Sequence, residues 1–223
     1  MQPALDIQNL HFAYPGGPTI IDVPSLSMAR GEQLLLTAGS GAGKSTLLHL
    51  IAGLMDPSRG VVAVDGTIMH ELHGARRDLF RGRKIGMIFQ TFNLLLGFSA
   101  IENIMAALMF SSVPAEEHRA KASALLAKLG IDRQDARPTE LSVGQQQRIA
   151  VARAVVCEPV LVLADEPTAS LDPENSAAAM ELIQGLCRET NAALLCVSHD
   201  PAMRERFSKR LSLAEVSRAK GGA

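Results

Sequence analysis

Hydrophobic positions in this chain of 223 residues follow two interleaved patterns. In one, short runs are apolar at nearly every position. In the other, longer stretches carry apolar residues every three or four places. The first pattern predicts strands buried on both faces, the second helices laid against them. Gln33–Thr37 reads as such a strand, and it runs into a glycine-rich turn followed by a helix over residues 45–53. Further buried strands are expected at 85–89, 160–164 and 193–197, with a last one near Leu211. The N-terminal part differs, because 5–10, 20–28 and 60–64 look like strands joined by turns, with Pro15-Gly16-Gly17-Pro18 as the strongest turn signal. From about Ser99 to Arg137 the strand pattern disappears and two or three helices are expected. The sum is an α/β fold, a sheet packed on both faces, with a helical subdomain inserted into it.

Composition narrows the class. Apolar residues make up 47% and charged residues 20% of the chain, as in a folded globular domain. The formal charge of −1 supplies no basic field, so nucleic acid is not expected as a partner. Cys157, Cys187 and Cys196 are odd in number, widely spaced and set among apolar or helical neighbours, which reads as reduced thiols acting as small core residues. The start of the chain lacks a basic segment followed by an apolar core, so no signal peptide is expected. No apolar run reaches the roughly 18 residues of a membrane span; the best candidate, 94–110, is interrupted by Gly97, Ser99, Glu102 and Asn103. A soluble protein, or one held to a membrane only through something else, is the expectation. Arg76, Arg77, Arg81, Arg83 and Lys84 form a basic cluster that reads as a solvated face.

Chemistry enters at the glycine-rich turn. Ala38-Gly39-Ser40-Gly41-Ala42-Gly43-Lys44-Ser45-Thr46 lies between a predicted strand and a predicted helix, which is the setting of a phosphate-binding loop. Glycines let consecutive N–H groups converge on phosphate oxygens, and the helix start adds its positive end. Lys44 offers a charge to the β and γ phosphates, and the Ser45 hydroxyl can ligate Mg²⁺. The usual pattern has glycine where this chain has Ala38. If that position needs positive φ the alanine costs roughly 1 kcal/mol, and if not it costs little. A second site follows at the end of the strand near 160–164, where Asp165 and Glu166 stand side by side. Beside a phosphate loop, Asp165 can hold Mg²⁺ through water, and Glu166 can polarise an attacking water as general base.

The string Leu141-Ser-Val-Gly-Gln-Gln-Gln-Arg-Ile-Ala-Val-Ala-Arg153 closely resembles the signature of ATP-binding-cassette (ABC) ATPases. The resemblance extends over essentially the whole chain. It implies a P-loop NTPase core with an antiparallel β subdomain and a helical subdomain over roughly 92–156, all within one nucleotide-binding domain, 1–223. It implies ATP and Mg²⁺ as ligands. Gln90 matches a glutamine that senses Mg²⁺ and the attacking water, and His199 one that contacts the γ-phosphate. Tyr14 stands where the family stacks an aromatic on adenine, and residues 169–172 match a loop that crosses the dimer interface. Ser142, Gly144 and Gln145 would meet the γ-phosphate held by a second copy, giving a head-to-tail homodimer with two ATPs between its halves. Val143 departs from the usual glycine, and its branched side chain is expected to restrict approach to phosphate.

Residues 85–96 and 101–103 resemble the branch that serves lipoprotein-releasing, macrolide-exporting and cell-division complexes. That branch implies integral membrane subunits as partners and a peripheral place on the cytoplasmic face of the inner membrane. Phe92, Leu94, Leu95 and Phe98 are expected to line the groove that receives a membrane subunit, or else to pack the helical subdomain. A soluble ABC ATPase without a membrane partner is the alternative. Translation-type members carry two cassettes and repair-type members a long coiled coil between phosphate loop and signature, and neither is seen here. A small-molecule kinase would need a lid and would not need the signature.

Overall fold

A computed structural model describes residues 2–39 and 41–218. In chain order the elements are β1 (Leu5–Ala13), β2 (Thr19–Met28), β3 (Gln33–Thr37), α1 (Lys44–Ile51), β4 (Arg59–Val64) and β5 (Thr67–Ile68). There follow α2 (Ala75–Lys84), β6 (Ile85–Ile88), α3 (Ala100–Leu108), α4 (His118–Lys128), α5 (Val143–Val155) and β7 (Leu161–Asp165). The chain then forms α6 (Pro173–Thr190), β8 (Ala193–Ser198), β9 (Lys209–Ser212) and the single turn α7 (Leu213–Val216).

Two sheets result. One is antiparallel, in the order β2-β1-β4-β5; the other is parallel, in the order β6-β7-β8-β3-β9. The parallel sheet is apolar on both faces because each face meets a separate core. Leu34 and Leu36 point into a cluster shared with β1, β2, β4 and α1, whereas Leu35 between them joins a cluster built by α3, α4, α5 and α6. This is the period-two alternation of a strand acting on a sheet covered twice. Each fully buried leucine contributes about 1.5–3 kcal/mol. The second cluster runs unbroken from Ile104 and Leu126 in α3 and α4, through Ile149 and Val151 in α5, to Val162 and Leu194 of the sheet.

Helix ends are set by local chemistry. Ser99 and Glu102 form a capping box at the start of α3, and Asp172 caps α6 through the Asn175 amide. Asn191 stops α6 in the left-handed conformation at φ 53°.

The helix α2 was not visible in the apolar pattern. Its sequence ARRDLFRGRK has no apolar stripe, and none of its residues is buried. It also corrects the reading of the basic cluster as a solvated face. The Arg77 guanidinium donates to the carbonyls of Leu72, His70 and Gly53 and pairs with Asp56, while Arg81 donates to those of Ala52 and Gly53. The Ala52 and Gly53 carbonyls, just past the end of α1, have no partner within that helix, and the arginines supply one along with favourable charge. Arg83 reaches the Phe110 carbonyl and Lys84 the Asp65 carboxylate, so four of the five cations are engaged in holding the chain together.

Candidate functional site

Three neighbouring strands of the parallel sheet end at one edge. Thr37 of β3 lies opposite Ser198 of β8, and Asp165 of β7 opposite Val197. The loops that leave these ends bring together side chains more than 150 positions apart in the chain, at the edge where α/β sheets ordinarily bind ligands.

The loop after β3 turns into α1 through Gly41 at φ 74° and Gly43 at φ 86°. Gly43 is needed twice over, because a Cβ there would lie 2.9 Å from Ile20 Cγ2 and the residue is the left-handed cap of α1. The Ala42 amide donates to the Gly39 carbonyl at 3.4 Å. Ala38 has no positive φ, so alanine in place of the usual glycine carries no backbone strain. Ser40 lies outside the described residues.

Charges then gather on one carboxylate. Lys44 Nζ stands 3.0 Å from Glu166 Oε1 and also donates to the Ala38 carbonyl at 3.2 Å. His199 Nδ1 donates to Glu166 Oε1 at 2.6 Å, the His199 amide donates to the same carboxylate, and Ser198 Oγ donates to Oε2 at 2.9 Å. Glu166 itself has a left-handed backbone at φ 46°, anchored by its amide to the Val197 carbonyl. A non-glycine residue in that conformation at a functional edge is a local strain that the surrounding bonds hold in place. Burial pushes the Glu166 carboxyl up, but the hydrogen bonds from His199, Lys44 and Ser198 and the Lys44 charge outweigh it and hold the group below its ordinary value. Glu166 is thus an ionised, oriented carboxylate.

Beside it, Ser45 Oγ donates to Asp165 Oδ2 at 2.7 Å. A hydroxyl and a carboxylate oxygen side by side fit a hard divalent cation that keeps several waters and takes its other ligands from phosphates. Among the described residues no group of three or more His, Cys, Asp or Glu side chains could hold a metal alone, which suits a cation completed by substrate. Gln90 shares a cleft of about 570 Å³ with Glu166, Thr168, Ser198 and His199. Its backbone carbonyl accepts from Ser170 Oγ at 3.3 Å, which ties residues 169–172 to this side of the site.

Tyr14 is half-exposed, stands edge-on to Phe12 with ring centroids 5.0 Å apart, and brings its hydroxyl to 3.5 Å from Thr46 Oγ1. Its exposed ring flanks the start of α1. Ser142, Gly144 and Gln145 are placed differently. Ser142 and Gln145 close a capping box on each other at the start of α5, and among the described residues no hydrogen bond links these three to the phosphate loop, Asp165, Glu166 or His199. Val143 occupies the first helical position without positive φ and is 53% exposed, so its branched side chain is free of backbone strain and faces outward.

The apolar group after Gln90 is split. Leu94 packs against the larger core, whereas Leu95 and Phe98 are exposed. The adjoining groove of about 320 Å³ is lined instead by Met87, Phe89, Phe110, Arg81 and Arg153 among others. Arg153, on the last turn of α5, donates to the carbonyls of Phe92 at 2.9 Å and Asn93 at 2.7 Å. Burial lowers the pKa of this guanidinium, which has no carboxylate partner among the described residues. Neither Arg153 nor Ser198 was singled out from the sequence, although Arg153 ends the signature string and Ser198 precedes His199. The three thiols are free; burial raises all three, Cys187 to about 12, so none is a reactive nucleophile.

Known proteins are similar to this chain. A family profile described as ABC transporter matches residues 21–169. The "Lipoprotein-releasing system ATP-binding protein LolD" of Bordetella avium is 38% identical over 219 residues, covering 96% of this chain and 95% of that protein. Among solved structures, a dimeric post-hydrolysis state of the ATP-binding cassette MJ0796 bound to ADP and Pi superposes with a TM-score of 0.83 at 30% identity, covering 97% of this chain and 98% of that one. CbiO1 of Clostridium perfringens, part of the ABC transporter complex cbiONQ, gives 0.78 at 27% identity, with 90% and 80% covered. With a strand-edge site of this make-up and relatives matching nearly end to end, the chain belongs to the ABC transporter family, as an ATP-binding cassette that hydrolyses ATP.

Proposed function

We propose that this chain powers a membrane complex for export or extracytoplasmic force transmission, working as a head-to-tail pair of cassettes beneath separate integral membrane subunits. The observation that carries the reading is the convergence of Lys44, Ser198 and His199 on Glu166, beside the Ser45–Asp165 pair. The lipoprotein-releasing relatives support the export branch. Among the described residues no helix is long and apolar enough to cross a membrane, so attachment to the cytoplasmic face of the inner membrane would rest on partner subunits.

In this reading the phosphate loop, residues 38–46, wraps the triphosphate and Tyr14 supports adenine. Lys44 leaves Glu166 for the β and γ phosphates, trading one anionic partner for another in a water-poor site. Ser45 and Asp165, with Gln90, would hold Mg²⁺, which supplies neutralisation of phosphate charge. Glu166, released on its Oε1 side, accepts the proton of the water that attacks the γ-phosphorus, and ADP and phosphate leave. His199 keeps its Nδ1 hydrogen bond to Glu166 and presents its other ring nitrogen, Nε2, to the γ-phosphate side. Ser142, Gly144 and Gln145 of a second copy close the site from the other side with a helix N-terminus. Most of the acceleration is positioning and charge stabilisation.

The test is Glu166→Gln. ATP binding should persist while turnover falls roughly 10²- to 10⁴-fold, and Mg-ATP should drive the variant into a dimer on size exclusion. Co-purification from solubilised membranes with a subunit carrying a large external domain supports the export branch. Recovery of soluble partners alone overturns the membrane role and leaves the ATPase intact.

A further inference from the structure

Ser198 lies directly against the Glu166 carboxylate. It ends β8, is 1% exposed, and lies next to Thr37 at the strand edge from which the phosphate loop departs. Its hydroxyl makes two hydrogen bonds whose directions are determined. The Asp200 amide donates to Ser198 Oγ at 3.1 Å, so that contact uses a lone pair. The single hydroxyl proton therefore goes to Glu166 Oε2, 2.9 Å away.

The partners of the two carboxylate oxygens differ in kind. On Oε1 sit Lys44, which the proposed cycle moves to phosphate, and the His199 ring, which stays on Glu166 through Nδ1. On Oε2 sits Ser198, and the His199 amide is shared between the two oxygens at 3.2 and 3.4 Å. When ATP draws Lys44 away, Oε1 is opened and Oε2 is not. Glu166 follows the end of β7 and has a left-handed backbone, outside any regular helix or strand.

We infer that Ser198 is a positioning residue for ATP hydrolysis, clamping Glu166 Oε2 through the nucleotide cycle so that Oε1 faces the attacking water. The inference rests on the reading of Glu166 as general base. Ser198 touches neither nucleotide nor metal in this scheme, so its loss acts on the chemical step and spares binding.

The experiment compares Ser198→Ala, Ser198→Thr and Glu166→Gln in the full-length protein, measuring kcat and KM for Mg-ATP, the Kd of a fluorescent ATP analogue, and the melting temperature. Ser198→Ala should lower kcat roughly 10- to 100-fold, with the analogue Kd changed less than about twofold. Ser198→Thr, which keeps the hydroxyl, should return kcat to within about threefold of the unaltered protein. If Ser198→Ala keeps its kcat while Glu166→Gln is inactive, the inference fails and the general-base reading stands. A loss that Thr does not restore, or that comes with an equal loss of nucleotide affinity, assigns Ser198 a structural role and overturns the inference. Substantial turnover in Glu166→Gln removes the general-base reading and the inference with it.

Discussion

The neighbourhood of Glu166 and the start of α5 both present groups suited to a phosphate, yet they are built on opposite plans. Around Glu166 every charged group is already answered from within the chain: Lys44, His199 and Ser198 satisfy the carboxylate, and Ser45 engages Asp165. At the start of α5 Ser142 and Gln145 answer each other through a capping box, and a half-exposed Val143 faces outward between them. In the proposed reading, one region is a half-site whose internal ion pairs open for substrate. The other is a helix N-terminus that, among the described residues, makes no hydrogen bond to that half-site through Ser142, Gly144 or Gln145. Two incomplete halves of this kind explain why the family's cassettes would gain activity by pairing, because each supplies what the other lacks.

That contrast can be broken most directly at the signature. Gly144→Asp should lower ATP turnover about 10²- to 10³-fold by setting a carboxylate against a partner's phosphate. Its affinity for ATP as an isolated chain should stay unchanged, since among the described residues no hydrogen bond joins Gly144 to the phosphate loop. The fold tolerates the change, with the nearest side-chain atom 3.9 Å from an added Cβ and an acid in the first turn favoured by the helix dipole. Steady-state hydrolysis and an equilibrium nucleotide titration check both parts, and weakened binding by the isolated variant would show that the two regions communicate within one chain.

Lys44→Ala attacks the other half. ATP affinity should fall about 10- to 100-fold, roughly the share of a buried charge-assisted contact. The same change leaves the 8%-exposed Glu166 side chain without its cation, so the variant should also melt lower in the absence of nucleotide. Isothermal titration and a thermal melt measure the pair of effects.

Ser142→Ala sharpens the comparison on the stability side. It removes a cap that serves its own helix, and should cost about 1 kcal/mol in urea unfolding, small beside its effect on turnover. The smallest effect belongs to Asp65, far from both regions. The hydrogen bond from Lys84 lowers its pKa, burial opposes this, and Arg30 adds to the lowering. A depressed carboxyl pKa means stability that is present above the unfolded value, near 3.9, and lost as pH falls through the folded one. Because Lys84 and Arg30 are 37% and 42% exposed, Asp65→Asn should cost at most about 1 kcal/mol at pH 7. The two proteins should converge in melting temperature as the pH is lowered below about 4.

The clearest readings from the linear chain were those in which one local segment carries both pattern and chemistry. Lys44 and Ser45 follow a glycine-rich turn at the end of an all-apolar strand, and the structure puts them at the junction of β3 and α1. Asp165 and Glu166 end a buried run, and they end β7. The helix α2 escaped because none of its residues is fully buried and only Phe80 packs against a core. It is held by Arg77 and Arg81 reaching carbonyls at the end of α1, contacts that leave no periodic trace. The basic cluster looked like a solvated face for the same reason, since a cation satisfying distant carbonyls reads like one exposed to water. Ser198 stands next to His199 in the sequence, but only its burial and its two bonds mark it out.

Residue order alone, then, settled the strand and helix periodicities, the phosphate loop and the acidic pair, because steric and hydrogen-bonding preferences act over a few neighbouring residues. Pairing of distant strands decided the rest. The parallel register of β3, β7 and β8 brings three loops to one edge, and that register is what joins Lys44, Glu166, Ser198 and His199 around a single carboxylate. It follows from burying Leu34, Leu35 and Leu36 on alternate faces of a doubly covered sheet, an energy that depends on the whole core and on no single segment.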